Sequence, residues 1–187
     1  MSYFITVKQG NLLEEPDATF IVNASNTKLL LGSGVSMAFK RHCGIKLQSE
    51  MNKKVQEMMS QGQEIRQADA ILTSSVNATN FKYAIHVAIM DYTNRQNINP
   101  SIQTIHESLK NIELYLKWYS SISSKMKLVL PLMGCGVGGL DKLQVIQLYK
   151  IFFGRDVDFE CEVVVYGYSG EDYALIKSVV DEENTNR

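Results

Sequence analysis

Two glycine-rich segments, each placed between an apolar run and a helical pattern, constrain the fold of this chain more than any other feature. We call residues 32–36 the first glycine loop and residues 134–139 the second glycine loop. A strand that ends in glycines and turns into a helix leaves backbone N–H groups at the positive end of the helix dipole. Such turns bind anions, most often phosphate. Two of them on one sheet predict a diphosphate-binding cleft.

Strand and helix patterns alternate along the chain. Apolar or alternating segments predict strands at 3–8, 19–23, 70–73, 83–89, 128–132 and 162–166. Apolar residues at three- and four-residue spacing predict helices at 34–58, with a kink or break at Gly44, and at 102–116, 141–153 and 171–180. This alternation predicts an α/β fold, a three-layer α/β/α sandwich with a mixed central sheet.

Length and composition predict a single domain over residues 1–187, with its core at about 3–180 and a polar tail at 181–187. The 187 residues are 45% hydrophobic, enough for one well-buried core. The formal net charge of −1 makes binding to long nucleic acid an unfavoured function. No apolar run reaches the roughly 20 residues that span a bilayer, so we expect no membrane association.

The three cysteines, Cys43, Cys135 and Cys161, are odd in number and far apart. This pattern argues against a disulfide framework and predicts free thiols in a cytoplasmic protein. Cys135 lies inside the second glycine loop before a helix, where the pKa of a thiol tends to fall. No motif supplies a histidine base for it, so we interpret Cys135 as a small residue that fills a tight loop rather than as a nucleophile.

Neither glycine loop matches the commonest nucleotide-binding motifs. No Gly-Lys-Ser/Thr sequence follows the glycines, which excludes a Walker A loop. The acidic ribose partner of a dinucleotide fingerprint is also not in place. Kinase, GTPase and dehydrogenase functions are therefore not favoured.

The order of the motifs resembles that of the macro domain, a module that binds ADP-ribose. The resemblance extends from about residue 3 to residue 173, and no single motif carries it. The matching segments are Val7-Lys8-Gln9-Gly10-Asn11, Val22-Asn23-Ala24-Ser25-Asn26, Gly32-Ser33-Gly34-Val35, Tyr83-Ala84-Ile85-His86, and the second glycine loop after Leu130-Pro131.

The resemblance implies a set of ligand-binding residues. Asn26 would bind the distal ribose, the first glycine loop one phosphate, and the second glycine loop the other phosphate and the distal ribose. An aromatic residue, Tyr168 in preference to Tyr166, would lie against the adenine. The implied ligand-binding residues are Asn11, Asn23, Asn26, Gly32, Ser33, Gly34, Val35, Ser36, Gly134, Cys135, Gly136, Val137, Gly138 and Tyr168. The resemblance implies no metal and no cofactor.

Two positions depart from the family pattern. Asn11 stands where family members commonly carry an aspartate that accepts from the adenine amino group. Ser36 stands where hydrolytic members often carry an acidic residue. Asn26 and Asp141 remain the candidate catalytic residues, although Asp141 opens a helix and is more simply interpreted as its N-cap. His86, on an alternating strand, is interpreted as a packed core histidine.

We therefore expect a domain that binds ADP-ribose, either free or attached to a protein. One alternative is an enzyme that hydrolyses an ADP-ribosyl ester or deacetylates O-acetyl-ADP-ribose. A second alternative, left open by Asn11, is a binder of another nucleotide or of an RNA end.

Overall fold

The structure, a computed structural model, describes residues 1–32 and 34–182, so Ser33 and residues 183–187 lie outside the described part. The strands are β1 (Tyr3–Gln9), β2 (Ala18–Asn26), β3 (Ala70–Ser74), β4 (Phe81–Met90), β5 (Lys127–Leu130) and β6 (Cys161–Gly167). The helices are α1 (Gly34–Cys43), α2 (Lys46–Ser60), α3 (Ile102–Ser120), α4 (Lys142–Phe153) and α5 (Gly170–Asp181). A short 3-10 helix at Leu12–Glu14 connects β1 to β2.

The six strands form one mixed sheet in the order β1-β6-β5-β2-β4-β3. Every neighbouring pair is parallel except β3 and β4, which run antiparallel at one edge. The sheet confirms the predicted mixed α/β fold. The carboxyl ends of the parallel strands therefore lie at the same end of the sheet, which we call the carboxyl edge; these strands are β1, β6, β5, β2 and β4. Open α/β sheets bind ligands at this end.

Both faces of the sheet are covered, because the central strands are apolar on both sides. Phe20 and Val22 pack with α3, α4 and α5 in one core, whereas Ile21 packs with α1 and α2 in the other. In β6, Val164 likewise faces the side opposite to its two neighbouring valines. Alternate residues of a strand point to opposite faces, so a continuous apolar strand requires a layer of helices on each side.

The helix boundaries follow their capping residues. The predicted break at Gly44 is confirmed: α1 ends at Cys43, α2 begins at Lys46, and Gly44 has a φ of +83°. Ser101 caps α3 by accepting from the N–H of Thr104. Asp141 caps α4, and its Oδ1 accepts from the N–H groups of Leu143 (2.7 Å) and Gln144 (3.3 Å).

The structure differs from the sequence prediction mainly at strand ends. Strand β2 continues to Asn26, beyond the predicted end at Asn23, and pairs with β4 up to Met90 with a bulge between Ser25 and Asn26. Polar residues there do not show a strand pattern, because their partners come from a distant segment of the chain. The 3-10 helix was not predicted either, since three residues carry no periodic signal.

The three cysteines are free, as expected. Among the described residues, no helix has the length and apolarity needed to cross a membrane.

Candidate functional site

The sheet order places the two glycine loops side by side. The first follows β2 and the second follows β5, and these strands are paired through Phe20–Leu128 and Ile21–Val129. Along the same edge, β6 and β1 bring Tyr168 and Asn11 next to each other, because Gly10 N–H donates to the carbonyl of Gly167 (3.0 Å). The order along the edge is therefore Asn11, Tyr168, second glycine loop, first glycine loop.

The first glycine loop has open space around two of its glycines. Helix α1 begins at Gly34, whose φ of +56° lies in the left-handed region that disfavours other residues. A Cβ added at Gly32 or Gly34 would meet nothing within 4 Å. Among the described residues, the N–H groups of Gly32, Gly34, Val35 and Ser36 have no acceptor. A helix start of this kind has a geometry and a dipole that favour anions.

A glutamine of α2 holds the segment that leads into this loop. Gln48 Oε1 accepts from the N–H of Leu31 (2.8 Å), and Gln48 Nε2 donates to the carbonyl of Leu29 (2.9 Å). Leu29 has a φ of +50°, an unusual value for a leucine. The side chain of Gln48 thus stabilises a strained turn immediately before the first glycine loop.

A buried chain of hydrogen bonds fixes the start of α1 to the sheet. Ser36 Oγ donates to Asn23 Oδ1 (2.9 Å), and Asn23 Nδ2 lies 3.0 Å from His86 Nδ1. On the other side of the ring, His86 Nε2 lies 2.8 Å from Thr73 Oγ1. All four side chains are buried. Ser36 and Asn23 were both predicted to bind the ligand. Their side chains instead take part in hydrogen bonds that hold α1, β2, β4 and β3 together.

His86, the histidine in this chain of hydrogen bonds, is neutral. Because Asn23 Nδ2 can only donate, His86 Nδ1 accepts, and the ring proton lies on Nε2, facing Thr73. Desolvation by burial lowers the pKa of His86 to about 3. His86 is therefore the core histidine that its strand pattern predicts, and it bridges two polar neighbours without carrying a charge.

The second glycine loop is compact, and two of its glycines are required by packing. A Cβ on Gly138 would lie 2.6 Å from the carbonyl oxygen of Gly134 and 3.0 Å from Pro100 Cγ. A Cβ on Gly134, whose φ is +78°, would lie 2.8 Å from Leu140 Cδ1. Leu140 N–H closes the turn on the carbonyl of Gly134 (2.9 Å).

Three consecutive N–H groups of this compact turn are unpaired among the described residues. Among the described residues, the N–H groups of Gly136, Val137 and Gly138 have no acceptor. The side chain of Val137 is 70% exposed, so the tip of the loop lies in solvent. Successive unpaired N–H groups in a turn form a concave anion-binding site.

The base of the second glycine loop is held by a buried tyrosine of α4. Tyr149 Oη donates to the carbonyl of Pro131 (2.7 Å) and accepts from the N–H of Met133 (3.0 Å). Burial raises the pKa of the Cys135 thiol to about 11, contrary to the lowering expected near a helix start. The thiol is therefore protonated at neutral pH, which agrees with a loop-filling role.

Asn26 lies at the end of β2 and folds the next residues into a turn. Its Oδ1 accepts from the N–H of Lys28 (3.1 Å) and Leu30 (3.3 Å), and its Nδ2 donates to the carbonyl of Leu30 (3.0 Å). One of the two Nδ2 hydrogens remains for another acceptor. Next to it, Ser25 Oγ is the one buried side-chain polar atom without a partner in the described part of the chain.

The two tyrosines of β6 have different surroundings. Tyr166 Oη donates to Glu15 Oε2 (2.7 Å), so its ring lies within the fold. Tyr168 is 84% exposed at the carboxyl edge, where it can stack on a planar ligand. Asn11 Oδ1 accepts from the N–H of Leu13 (3.1 Å) and thereby caps the 3-10 helix.

A cleft of about 320 Å³ lies at the opposite edge of the sheet, near Phe4, Thr19 and Lys127. Its other lining residues include charged side chains of both signs and none of the sequence-predicted residues. The glycine loops lie at the carboxyl edge of the sheet, away from this cleft.

The sequence of residues 22–149 matches the family model of the macro domain. The chain belongs to the macro domain family. The matched segment contains both glycine loops, the Asn23–Asn26 motif and His86. No curated protein matches this macro domain significantly in sequence.

Solved macro domains share its fold at low sequence identity. The macrodomain of Oceanobacillus iheyensis with ADP superposes with a TM-score of 0.77 at 18% identity, covering 98% of this chain and 93% of that chain. The Trypanosoma brucei macrodomain in complex with ADP gives 0.66 at 18% identity, covering 94% and 68%. The macro domain of ganglioside induced differentiation associated protein 2 gives 0.68 at 17% identity, covering 95% and 82%.

The sequence reasoning missed the residues that support the loops of this macro domain. Gln48 and Thr73 carry no local signal, because their partners are distant in sequence. Tyr149 lies at helical spacing on the apolar face of α4, which identifies it as buried but not as a hydrogen-bond donor. Ser33, a predicted phosphate ligand, lies outside the described residues.

Proposed function

We propose that this macro domain binds ADP-ribose, free or attached to a protein, across the carboxyl edge of its sheet. One observation carries the proposal: two adjacent glycine loops present N–H groups, those of Gly32, Gly34–Ser36 and Gly136–Gly138, that have no acceptor among the described residues.

The order of residues along the edge fits the shape of such a ligand. Tyr168, 84% exposed, lies on the β6 side of the second glycine loop, where a base can stack on its ring. Asn26 lies on the other side, after β2, and its remaining Nδ2 hydrogen can bind a ribose hydroxyl. The diphosphate would then lie between the two ends, against the loops.

The relatives agree with this assignment. The Oceanobacillus iheyensis macrodomain has been solved with ADP, and a mutant of it with ADPR. The Trypanosoma brucei macrodomain has been solved in complex with ADP. These ligands share the adenosine diphosphate part of ADP-ribose, which is the part that the two glycine loops would hold here.

Binding is favoured over turnover by the state of Asp141 and of Ser36, which stands where hydrolytic members often carry an acidic residue. Ser36 is buried and donates to Asn23, so its hydroxyl does not face a ligand. Asp141 Oδ1 already accepts from two backbone N–H groups of α4. Catalysis by Asn26 or Asp141, and a cytoplasmic location, stay predictions. The expected partner is ADP-ribose or an ADP-ribosylated protein.

Calorimetric titration with ADP-ribose, ADP and AMP tests the proposal. We expect affinity to rise from AMP to ADP to ADP-ribose, because each step adds a group that the edge can bind. The variant Asn26→Ala should bind ADP-ribose at least about five-fold more weakly, the effect of one lost hydrogen bond.

The matched control is Asn77→Ala, which removes an exposed asparagine in the turn between β3 and β4, at the opposite edge of the sheet. This variant should bind like the wild type. Absence of ADP-ribose binding, or AMP binding as tight as ADP-ribose binding, would refute the proposed function. In that case the other nucleotides and RNA ends become the ligands to test.

A further inference from the structure

The start of α4 carries a carboxylate at the place where a helix otherwise attracts anions. Asp141 Oδ1 accepts from the N–H groups of Leu143 (2.7 Å) and Gln144 (3.3 Å). A carboxylate at a helix N-terminus offsets the positive end of the helix dipole. The first turn of α1, residues 34–36, contains no acidic residue, so the first glycine loop lacks this offset. A phosphate at the second glycine loop therefore has to gain positive charge from another group.

Lys142 is a cation at this helix start, directly after Asp141. Its Nζ donates to Asp172 Oδ1 over 2.6 Å. Asp172 lies in the first turn of α5, where its N–H donates to Ser169 Oγ (3.1 Å). Because α4 follows β5, α5 follows β6, and these strands are neighbours, the ion pair joins two helix starts at the carboxyl edge.

The charge of Lys142 acts on the second glycine loop. Burial raises the pKa of the Cys135 thiol in this loop, the charge of Lys142 acts against that rise, and the charges of Asp141 and Asp172 add to it. Of these three charged groups near the loop, Lys142 is the one cation. With the ammonium removed, the two carboxylates would repel a phosphate at the loop.

The ion pair leaves Lys142 free to bond a second acceptor. The side chain of Lys142 is 45% exposed, and Asp172 is the one hydrogen-bond partner of its Nζ in the described part of the chain. An ammonium on a flexible stem has three donors, so it can turn from one acceptor to another or bond two. A partly exposed pair of this kind contributes little to stability, so its exchange for another anion costs little.

We infer that Lys142 binds a phosphate of the ligand at the second glycine loop and that Asp172 competes for the same ammonium. The inference rests on the proposed function, which places a diphosphate against the two glycine loops. A phosphate oxygen accepts from Nζ as the Asp172 carboxylate does. At the same time the phosphate gains the unpaired N–H groups of residues 136–138, which the carboxylate does not reach from α5.

Titration of two variants with ADP-ribose tests the inference. We expect Lys142→Gln to bind about ten-fold more weakly, the effect of one charge-assisted hydrogen bond lost. Asp172→Asn should bind about three-fold more tightly, because Lys142 loses its competitor. A pair that only braced the two helix starts would weaken binding whichever partner is removed. The affinity of Lys142→Gln should also depend less on ionic strength than that of the wild type.

The double variant separates competition from simple repulsion. If Asp172 acts through Lys142, the gain from Asp172→Asn disappears when Lys142→Gln is also present. If the Asp172 carboxylate only repelled the ligand, the gain would remain in full. A gain retained in full would overturn the inference.

The control is the Lys177–Asp181 ion pair at the other end of α5, with Nζ and Oδ2 2.8 Å apart. Lys177→Gln and Asp181→Asn make the same changes of charge away from the carboxyl edge and should leave affinity unchanged. Weaker binding by both Lys142→Gln and Asp172→Asn, or no effect of Lys142→Gln, would overturn the inference, while binding by the wild type upholds the proposed function. If the wild type does not bind ADP-ribose, the proposed function fails, and the inference fails with it.

Discussion

The two glycine loops occupy equivalent places after neighbouring strands, but different forces hold them. The second glycine loop is self-contained: Gly134 and Gly138 pack against each other, and Tyr149 bonds the strand end below them. The first glycine loop is held from outside, by Gln48 of α2 and by the Ser36–Asn23 pair. Glycine therefore allows close packing in the second glycine loop and leaves open space around the backbone in the first.

Gly138→Ala should have the largest effect on stability, because its Cβ would lie 2.6 Å from a backbone oxygen that cannot move alone. Forced overpacking of this kind lowers the free energy of unfolding by about 3 kcal/mol. Urea unfolding followed by circular dichroism measures the change. An alanine at Gly138 that leaves stability within about 0.5 kcal/mol of the wild type would show that the loop is less rigid than its packing indicates.

Gly32→Ala is the matched control in the other loop. A Cβ on Gly32 meets nothing within 4 Å, so we expect stability to stay near that of the wild type. If the first glycine loop is open where the second is closely packed, Gly32→Ala weakens ADP-ribose binding without changing the free energy of unfolding. The reason is that the added methyl group occupies the space that the ligand enters.

The support of the first glycine loop should depend on pH. The pKa of His86 falls from about 6.5 in the unfolded chain to about 3 in the fold, because burial disfavours the charged ring. The stability that comes from the neutral ring is complete above pH 6.5 and is lost as the pH falls toward 3. The loss is about 1.4 kcal/mol per pH unit, or about 2 kcal/mol at pH 5.

Urea unfolding at pH 7, 6 and 5 for the wild type and for His86→Gln measures this dependence. Glutamine does not titrate, so the variant should be less stable at pH 7 but lose less stability at pH 5. Glu15, whose pKa is also lowered, loses stability in acid in both proteins, and the difference between them isolates His86. Parallel curves for the two proteins would contradict the buried, neutral histidine.

Apart from the control Gly32→Ala, Ser36→Ala should have the smallest effect on stability. It removes the donor to Asn23 Oδ1 and leaves a buried oxygen without its partner, which lowers the free energy of unfolding by about 1 kcal/mol. Affinity for ADP-ribose should fall as well, because α1 is less firmly placed. Ser36→Thr retains the hydroxyl and should restore both quantities in part. A serine hydroxyl that contacted the ligand directly would instead change affinity with no change in stability.

The sequence predicted the strands and helices of the core because their apolar spacing is local and repeated. The β2 pattern and the α3 pattern each required only neighbours along the chain. The break at Gly44 and the N-cap at Asp141 were also visible, since backbone conformation and capping depend on a few adjacent residues. The order β1-β6-β5-β2-β4-β3 could not be derived in this way, because strand pairing joins distant segments.

The candidate site shows the same difference between features that depend on local sequence and features that depend on distant segments. The sequence by itself located the two glycine loops between a strand and a helix, because that pattern is local; phosphate binding by their backbone stays a prediction. Only the tertiary structure decided what each side chain does. Asn23 and Ser36 turn inward to His86, and Asn11 gives its oxygen to Leu13. A polar side chain bonds whichever group folding brings within about 3 Å, and only the folded chain determines that partner.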